Sequence, residues 1–263
     1  MKHSTTSARP WFPGRAALIA LLSVTVTASA LPGGEEPQQA SATPGLAAFG
    51  DGDIPAPPWQ LELLPNQKLP RTEFTFREVD GRRALEVRTR GSFGGMTHPF
   101  EPAGTPGTLA WTWKVGNFAT GADLRAKGGD DNAIKVCASF DMPLDRLSWF
   151  ERFVMKRARA STKRHLPAAT VCYVWEPALP IGTKLANPFS KRLRYFVLRQ
   201  GPARPGEWFE ESRNLGKDFL ELFGEESGGV IPPLLGISIG GDSDNTQGES
   251  VSWIAGISHR PIP

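Results

Sequence analysis

Two short acidic segments hold the side chains in this sequence that are best suited to bind a ligand. They are Gly128-Gly-Asp-Asp-Asn132 and Gly240-Gly-Asp-Ser-Asp-Asn-Thr246. Carboxylate, amide and carbonyl oxygens are the ligands that Ca²⁺ prefers, and glycines let backbone carbonyls turn inward. Crowded carboxylates repel one another unless solvent, a cation or an arginine balances them. Arg213 is a candidate for that balancing role.

The sequence predicts one site for a polar ligand, formed where these two segments meet. The predicted ligand-binding residues are Asp130, Asp131, Asn132, Arg213, Asn214, Asp242, Asp244 and Asn245. Three of them, Asp242, Asp244 and Asn245, are also candidate Ca²⁺ ligands. The segment that starts at Asp242 is not an EF-hand loop, because its sixth position, where an EF-hand needs glycine, is Gln247. Alternatively, these side chains bind their own loop backbones as Asx-turns. No residue is assigned a catalytic role.

A literal G-x-S-x-G motif occurs at Gly236-Ile-Ser-Ile-Gly240, with Asp242 and His259 after it. The motif serves a hydrolase only when its serine lies at a turn between a strand and a helix. Ser238 instead lies inside an alternating strand pattern that runs into a loop. We therefore reject a Ser-Asp-His triad.

Eight segments have the composition and alternation of β-strands. They are residues 73–79, 84–89, 109–115, 132–140, 170–175, 194–199, 234–239 and 251–257. Loops rich in Gly, Pro, Asn and Asp separate them, and helices do not alternate with them. The pattern predicts an all-β protein with two antiparallel sheets in a jelly-roll-like sandwich. Trp111 and Trp113 share one strand face with Leu109 and Val115, which indicates a core face rather than a sugar-binding platform.

Two short helices are expected to interrupt the strands. Asn214 can cap a helix that buries Leu215, Phe219 and Leu222 and ends at Gly224. The other runs from about Leu144 to Lys163. It places Leu147, Phe150 and Val154 on one stripe and Arg152, Lys156, Arg159 and Lys163 on another, so it is amphipathic and basic. One interpretation is that such a helix binds anionic lipid, lipopolysaccharide or an acidic partner. The other is that its basic stripe is the solvent-facing side of a helix that packs on the protein.

The N-terminal residues have the organisation of an export signal. Lys2, Arg9 and Arg15 precede an apolar run from Ala16 to Val26, and a small-residue cleavage site ends near Ala30. We predict a signal peptide at residues 1–30, a flexible lead-in at 31–58 and one sandwich domain at 59–263. The protein is then exported to the periplasm or beyond, with no transmembrane helix in the mature chain.

The charge balance indicates which partners to expect, and the cysteines indicate the state of the two thiols. The signal segment holds three cations and no anion, so the 27 remaining Lys and Arg equal the 27 Asp and Glu of the chain. A neutral chain does not suggest binding to nucleic acid. Cys137 and Cys172 both fall in predicted strands, and an oxidising compartment favours a disulfide between them. The alternative is two buried thiols that face different sides.

Several short motifs resemble the exported bacterial family catalogued as domain of unknown function 3047. The matching pieces are Trp111-Thr-Trp113, Gly129 to Ala133, Cys172-Tyr-Val-Trp175, Asn187-Pro188, Trp208, Glu211 to Asn214, Asp218-Phe219, Phe223-Gly224 and Asp242 to Thr246. The resemblance implies a sandwich similar to carbohydrate-binding modules, with acidic loops and an Arg/Asn segment in its pattern. It brings no assigned activity. The stretch between Asp141 and Pro167 departs from the pattern.

Three functions are consistent with these features. The first is a non-catalytic binding protein that holds a polar ligand, such as a glycan, in the acidic loops, with or without Ca²⁺. The second is a glycan hydrolase that pairs Asp130 or Asp131 with Asp242 or Asp244 across a cleft. The third is an envelope component that docks through the basic helix. The oligomeric state stays open.

Overall fold

The computed structural model describes residues 45–64, 66–162, 166–201 and 207–262. Strands, two α-helices and two short 3₁₀ turns make up its regular structure in this part of the chain. The strands are β1 (Gln60–Glu62), β2 (Glu73–Val79), β3 (Arg82–Arg90), β4 (Phe93–Gly104), β5 (Gly107–Asn117), β6 (Lys135–Phe140), β7 (Ala169–Glu176), β8 (Lys184–Ala186), β9 (Leu193–Gln200), β10 (Phe209–Asn214), β11 (Leu234–Asp242) and β12 (Glu249–Pro261). The helices are α1 (Trp149–Thr162) and α2 (Leu215–Ser227).

These strands form two sheets that pack face to face. The larger sheet has the order β1-β4-β11-β6-β7-β9-β8, and the smaller has the order β10-β5-β12-β3-β2. The prediction of an all-β two-sheet sandwich is confirmed. One pair differs from the expected antiparallel pattern, because β7 and β9 run parallel. The connection between them is long enough to return the chain, and it contains β8, which pairs antiparallel with β9.

The main core lies between the sheets and is rich in aromatic rings. Trp111 and Trp113 are 2% and 0% exposed, and their rings meet edge to face at 5.5 Å. Alternation along β11 places Ile237 and Ile239 in the same core. The prediction that the tryptophan pair belongs to the core is confirmed.

The sequence patterns missed β1, β4, β8 and β10. The longest of these, β4, begins with Phe93-Gly-Gly, and Pro99 interrupts it, so it resembles a turn. Its inward positions Met96, His98 and Phe100 are nevertheless buried. β10 is largely polar because it lies at an edge of the smaller sheet.

Helix α2 begins as predicted. The Asn214 side chain accepts a hydrogen bond from the Lys217 N–H at 2.9 Å, and Phe219 is fully buried. The helix ends at Gly228, in the left-handed conformation with φ 66°, instead of at Gly224. Gly224 had the right residue type for a helix end, but the helix continues through it.

Helix α1 has the opposite orientation to the predicted one. Leu147 is buried but precedes the helix, whereas Phe150 and Val154 are 59% and 48% exposed. Two cations that were expected in solvent face the protein. Arg152 Nε donates to the Leu144 carbonyl at 3.0 Å and Arg159 Nε to the Leu166 carbonyl at 2.9 Å. A hydropathy pattern does not predict this orientation, because it treats arginine as a residue that faces solvent. A guanidinium group can instead turn inward and donate hydrogen bonds to backbone carbonyls.

The described end of the predicted lead-in packs on the sandwich. Phe49 contacts the rings of Trp59 and Phe76, with centroids 5.1 and 5.5 Å away. The Ala47 N–H donates to His98 Nε2 at 2.9 Å. Two apolar residues of this segment, Leu46 and Phe49, therefore pack against the main core. The predicted signal peptide and residues 31–44 lie outside the described residues.

The two cysteines form a disulfide. Cys137 on β6 lies directly opposite Cys172 on β7, and their sulfur atoms are 2.02 Å apart. The predicted bond is confirmed. It faces the outer side of the larger sheet in a second, smaller apolar cluster that includes Leu124 and Val197. Among the described residues, no helix is long and apolar enough to cross a membrane.

Reduction of this disulfide is expected to lower the free energy of unfolding by roughly 2–4 kcal/mol, because the bond restricts the unfolded chain. Urea unfolding with and without dithiothreitol measures the difference. A double variant with alanine at positions 137 and 172 is the control, since dithiothreitol should leave its stability unchanged. Equal stability of the oxidised and reduced protein would contradict the prediction.

Candidate functional site

The two acidic loops converge, although more than 100 residues separate them in sequence. The Asn132 N–H donates to Asp242 Oδ1 at 2.9 Å, and the Asp242 N–H donates to the Asn132 carbonyl at 2.9 Å. The Asp131 carboxylate accepts from the backbone N–H groups of Asn245 and Thr246 at 3.1 and 2.7 Å. The carboxylates of Asp242 and Asp131 thus bind the backbone of the other loop, not the backbone of the loop that carries them. The two acidic loops therefore meet in space, as the predicted ligand site requires.

Glycines next to two of the aspartates leave no room for a side chain. A side chain on Gly129 would meet the Gly121 carbonyl of its own loop at 2.8 Å, and one on Gly241 would meet Val87 on β3 at 2.7 Å and the Ala133 carbonyl at 3.1 Å. Both glycines immediately precede an aspartate, so the repeated Gly-Gly-Asp pattern reflects tight packing of the backbone at these two positions.

Lys135 balances the charge of Asp242. Its Nζ lies 2.7 Å from Asp242 Oδ2, and the two side chains are 13% and 6% exposed. Asp242 therefore has both oxygens bound by groups of the protein. The balancing cation comes from β6, not from Arg213 as the sequence suggested.

An open groove crosses the outer face of the larger sheet beside these loops. Its first cavity has a volume of about 530 Å³ and its second about 550 Å³, and both are lined by Glu62, Thr97 and Ser238. Outward positions of the central strands carry small residues, which leave the space open. The first cavity is lined by Glu62, Leu64, Phe93, Gly94, Gly95, Thr97, Asp130, Lys135, Cys137, Thr170, Asn187, Phe189, Leu193, Tyr195, Ser238, Ile239, Gly240, Asp242, Asp244 and Asn245.

Asp130 is a buried carboxyl group in the wall of this groove. Burial raises its pKa to about 6, although hydrogen bonds from Tyr195 and Asn187 and the nearby Lys135 favour the charged form. The Tyr195 hydroxyl donates to Asp130 Oδ1 at 2.9 Å. The group can therefore take up or release a proton close to neutral pH.

Removal of the Tyr195 hydroxyl is expected to raise the pKa of Asp130 further, because this hydroxyl stabilises the carboxylate. Carboxyl ¹³C NMR titration of Tyr195→Phe measures the change, with Asp130→Asn to assign the signal. Tyr173→Phe is the matched control, because Tyr173 binds Asp218 instead. An Asp130 pKa that stays the same or falls in Tyr195→Phe would disprove the assigned role.

The protonation of Asp130 also links stability to pH. Its pKa in the folded state lies above the ordinary value of 3.8, so the neutral form stabilises the fold. This contribution is fully present below the unfolded pKa and is lost as the pH rises through about 6.

Asp244 is the other carboxyl group in the groove wall whose pKa is raised. Burial, together with the negative charges of Asp242 and Asp131, raises its pKa. Its Oδ1 is buried and has no hydrogen-bond partner among the described residues, and its side chain lines the groove. A donor group of a ligand would satisfy this oxygen.

The predicted Ca²⁺ ligands lie near one another but are largely occupied. Asp242 binds Lys135, and the Asn245 side-chain amide donates to Asp131 Oδ1 at 3.2 Å. Within the described residues, no group of three or more His, Cys, Asp or Glu is placed to hold a metal ion. The calcium hypothesis stays a prediction.

Arg213 and Asn214 do not line the groove. Arg213 binds the Asp218 carboxylate, with Nη2 at 2.6 Å from Oδ1, and Asn214 caps α2. Their sequence pattern reflects how β10 joins α2. Asp131 and Asn132 belong to the loop contact, and of the predicted set Asp130, Asp242, Asp244 and Asn245 line the first cavity.

Several groove residues were not predicted from sequence. Asn187 and Tyr195 contact Asp130, and Phe93 and Phe189 supply apolar walls. Asn187 could have been noticed in the sequence, because Asn187-Pro188 is one of the motifs that resemble the family. Phe93 and Glu62 carried none, because they come from β4 and β1, which the patterns missed.

Fold and site together define a two-sheet β-sandwich with an acidic groove on the outer face of its larger sheet. The chain belongs to the family described as protein of unknown function (DUF3047), whose model matches residues 57–258. The match includes the stretch between Asp141 and Pro167 that departed from the pattern in sequence. None of the curated proteins matches the chain.

Two solved structures show distant likeness to this chain. Endoglucanase 3 of Trichoderma harzianum, from family GH12, is 7% identical, with 78% of this chain and 99% of that chain covered and a TM-score of 0.37. A structure of domains CD (residues 230–489) of another protein is 10% identical, with 74% and 62% covered and a TM-score of 0.28. These likenesses are too distant to bear on activity.

Proposed function

We propose that the chain is an exported protein that binds a neutral or amine-bearing glycan in extended form along the groove. The observation that carries this proposal is the meeting of both acidic loops at one end of an open groove, where Asp244 presents a buried oxygen without a hydrogen-bond partner among the described residues. Concave sites with a few convergent polar groups are the usual form of ligand pockets.

The shape of the groove supports an extended ligand. The two cavities adjoin through shared residues, and between Gly236 and Asp242 they follow β11 for roughly 20 Å at about 3.3 Å per residue. A single sugar ring would fill only part of this length. A linear chain of several sugars would contact both cavities.

The chemistry of the walls supports a polar ligand without negative charge. The side-chain NH2 groups of Asn187 and Asn245 already donate to protein oxygens, so the polar contacts to a ligand would come mainly from the acidic side chains. The rings of Phe93 and Phe189 line the same cavity and offer apolar surfaces on which sugar rings stack. Among the described residues that line the first cavity, four are acidic and one, Lys135, is basic. Chains that carry carboxylate, sulfate or phosphate groups would be repelled.

Export is supported by two features. The disulfide between Cys137 and Cys172 is typical of oxidising compartments. The N-terminal sequence has the pattern of a cleavable signal peptide.

A second candidate function is glycan hydrolysis, favoured by the raised pKa of Asp130. A carboxyl group with a pKa of about 6 can donate a proton to a leaving sugar oxygen at neutral pH. Asp131 and Asp242 are occupied by the loop contacts and by Lys135, so Asp244 would be the partner carboxylate. Release of new reducing ends, lost in Asp130→Asn, would support this function.

A glycan array followed by isothermal titration tests the binding function. We expect binding to neutral or amino-sugar oligosaccharides that grows stronger with chain length, and no binding to uronic-acid chains. Repetition with Ca²⁺ and with Asp244→Ala tests the calcium hypothesis separately. An array on which only anionic glycans bind, or none, would overturn the proposal.

A further inference from the structure

Helix α1 presents an apolar surface to solvent. Trp149, Phe150, Phe153 and Val154 are 80%, 59%, 60% and 48% exposed. Their spacing places them together on one side of the helix, and we call these four side chains the aromatic face. Single exposed apolar residues are ordinary, but a contiguous patch of this kind marks an interaction surface.

The opposite side of α1 faces the sandwich. Met155 packs against the main core, and Glu151 forms an ion pair with Arg192 at 3.2 Å. The guanidinium groups of Arg152 and Arg159 donate to the carbonyls of Leu144 and Leu166, which lie in the segments on either side of the helix. The aromatic face can turn inward only if these contacts break. The contacts on the opposite side of α1 therefore keep the aromatic face in solvent.

Exposed cations accompany the aromatic face. Lys156 and Arg157 are exposed and follow Phe153 by three and four residues, so they lie beside it. Tryptophan and phenylalanine side chains insert between lipid headgroups, while lysine and arginine bind the lipid phosphates. With 14 residues, α1 is shorter than the roughly 20 that cross a bilayer, so it would lie along the surface.

We propose that the aromatic face of α1 docks the protein on an anionic phospholipid surface. A second copy of the chain fits this surface less well. In a two-fold contact both copies bring Lys156 and Arg157 into the same interface, so four like charges would lie close together. Lipid phosphates complement these charges. The proposal is independent of the glycan groove and would hold even if no glycan bound.

Sedimentation of the protein with vesicles tests this proposal. We expect it to bind vesicles that contain phosphatidylglycerol at low salt and to bind pure phosphatidylcholine weakly. The triple variant Trp149→Ser, Phe150→Ser and Phe153→Ser should lower the partition coefficient at least about tenfold. Lys156→Glu with Arg157→Glu should also lower it at least about tenfold on the anionic vesicles.

A matched control carries Ile54→Ser, Ile181→Ser and Val230→Ser, which remove exposed apolar side chains elsewhere. This control should bind vesicles as the unchanged protein does, and all variants keep the same N-terminus. Circular dichroism and thermal unfolding show whether each variant is folded. Failure of the unchanged protein to bind, or equal binding by the aromatic variant, would overturn the proposal. So would a dimer that the aromatic variant disrupts.

Discussion

Ser238→Trp is expected to weaken oligosaccharide binding at least roughly 100-fold, which corresponds to about 2.7 kcal/mol. Ser238 faces outward from the middle of β11 and lines both cavities. An indole there would fill the groove where the cavities join, so a chain could no longer pass through. Because the side chain points away from the core, the free energy of unfolding should change by less than about 1 kcal/mol.

Thr112→Trp is the matched control for this variant. Thr112 lies on β5 in the smaller sheet and is half-buried, so it gains the same indole away from the groove. Isothermal titration should give this variant the affinity of the unchanged protein. If both variants bind equally well, the ligand does not occupy the groove.

Asp242→Ala is expected to lower the free energy of unfolding by up to about 3–5 kcal/mol, because it leaves the largely buried ammonium of Lys135 without its partner. The variant also removes the acceptor for the Asn132 N–H, which joins the two loops. The loops should then open, with faster amide hydrogen exchange at Asn132 and Thr246. Urea unfolding and hydrogen exchange measure the two effects.

Asp123→Ala is the control for Asp242→Ala. Asp123 also pairs with a cation, Arg125, at 2.8 Å, but on the surface, where solvent screens the ion pair and its loss should change stability little. A similar small loss for Asp242→Ala would mean that the ion pair with Lys135 does not hold the loops together.

The alternation of apolar residues was sufficient to predict the sandwich. It showed the core face of β5 and the strands that carry both cysteines, because buried strands repeat every second residue. It failed for β4, where Gly94, Gly95 and Pro99 resemble a turn, since hydrogen bonds to two neighbouring strands fix the backbone there.

The site could be predicted in part. The acidic loops were identified because closely spaced aspartates and glycines are unusual next to strands. Their partners were not identified, since Tyr195 and Lys135 reach the site only through the strand order. The orientation of α1 was missed because the hydrogen bonds of Arg152 to nearby carbonyls leave no trace in hydropathy.

The position of a bound oligosaccharide tests the central proposal most directly. A crystal structure with the tightest-binding oligosaccharide of the array should show the sugar chain along β11, with a hydroxyl or amino group donating to Asp244 and a ring against Phe93 or Phe189. A sugar chain bound outside this groove, with Asp130 and Asp244 untouched, would contradict it.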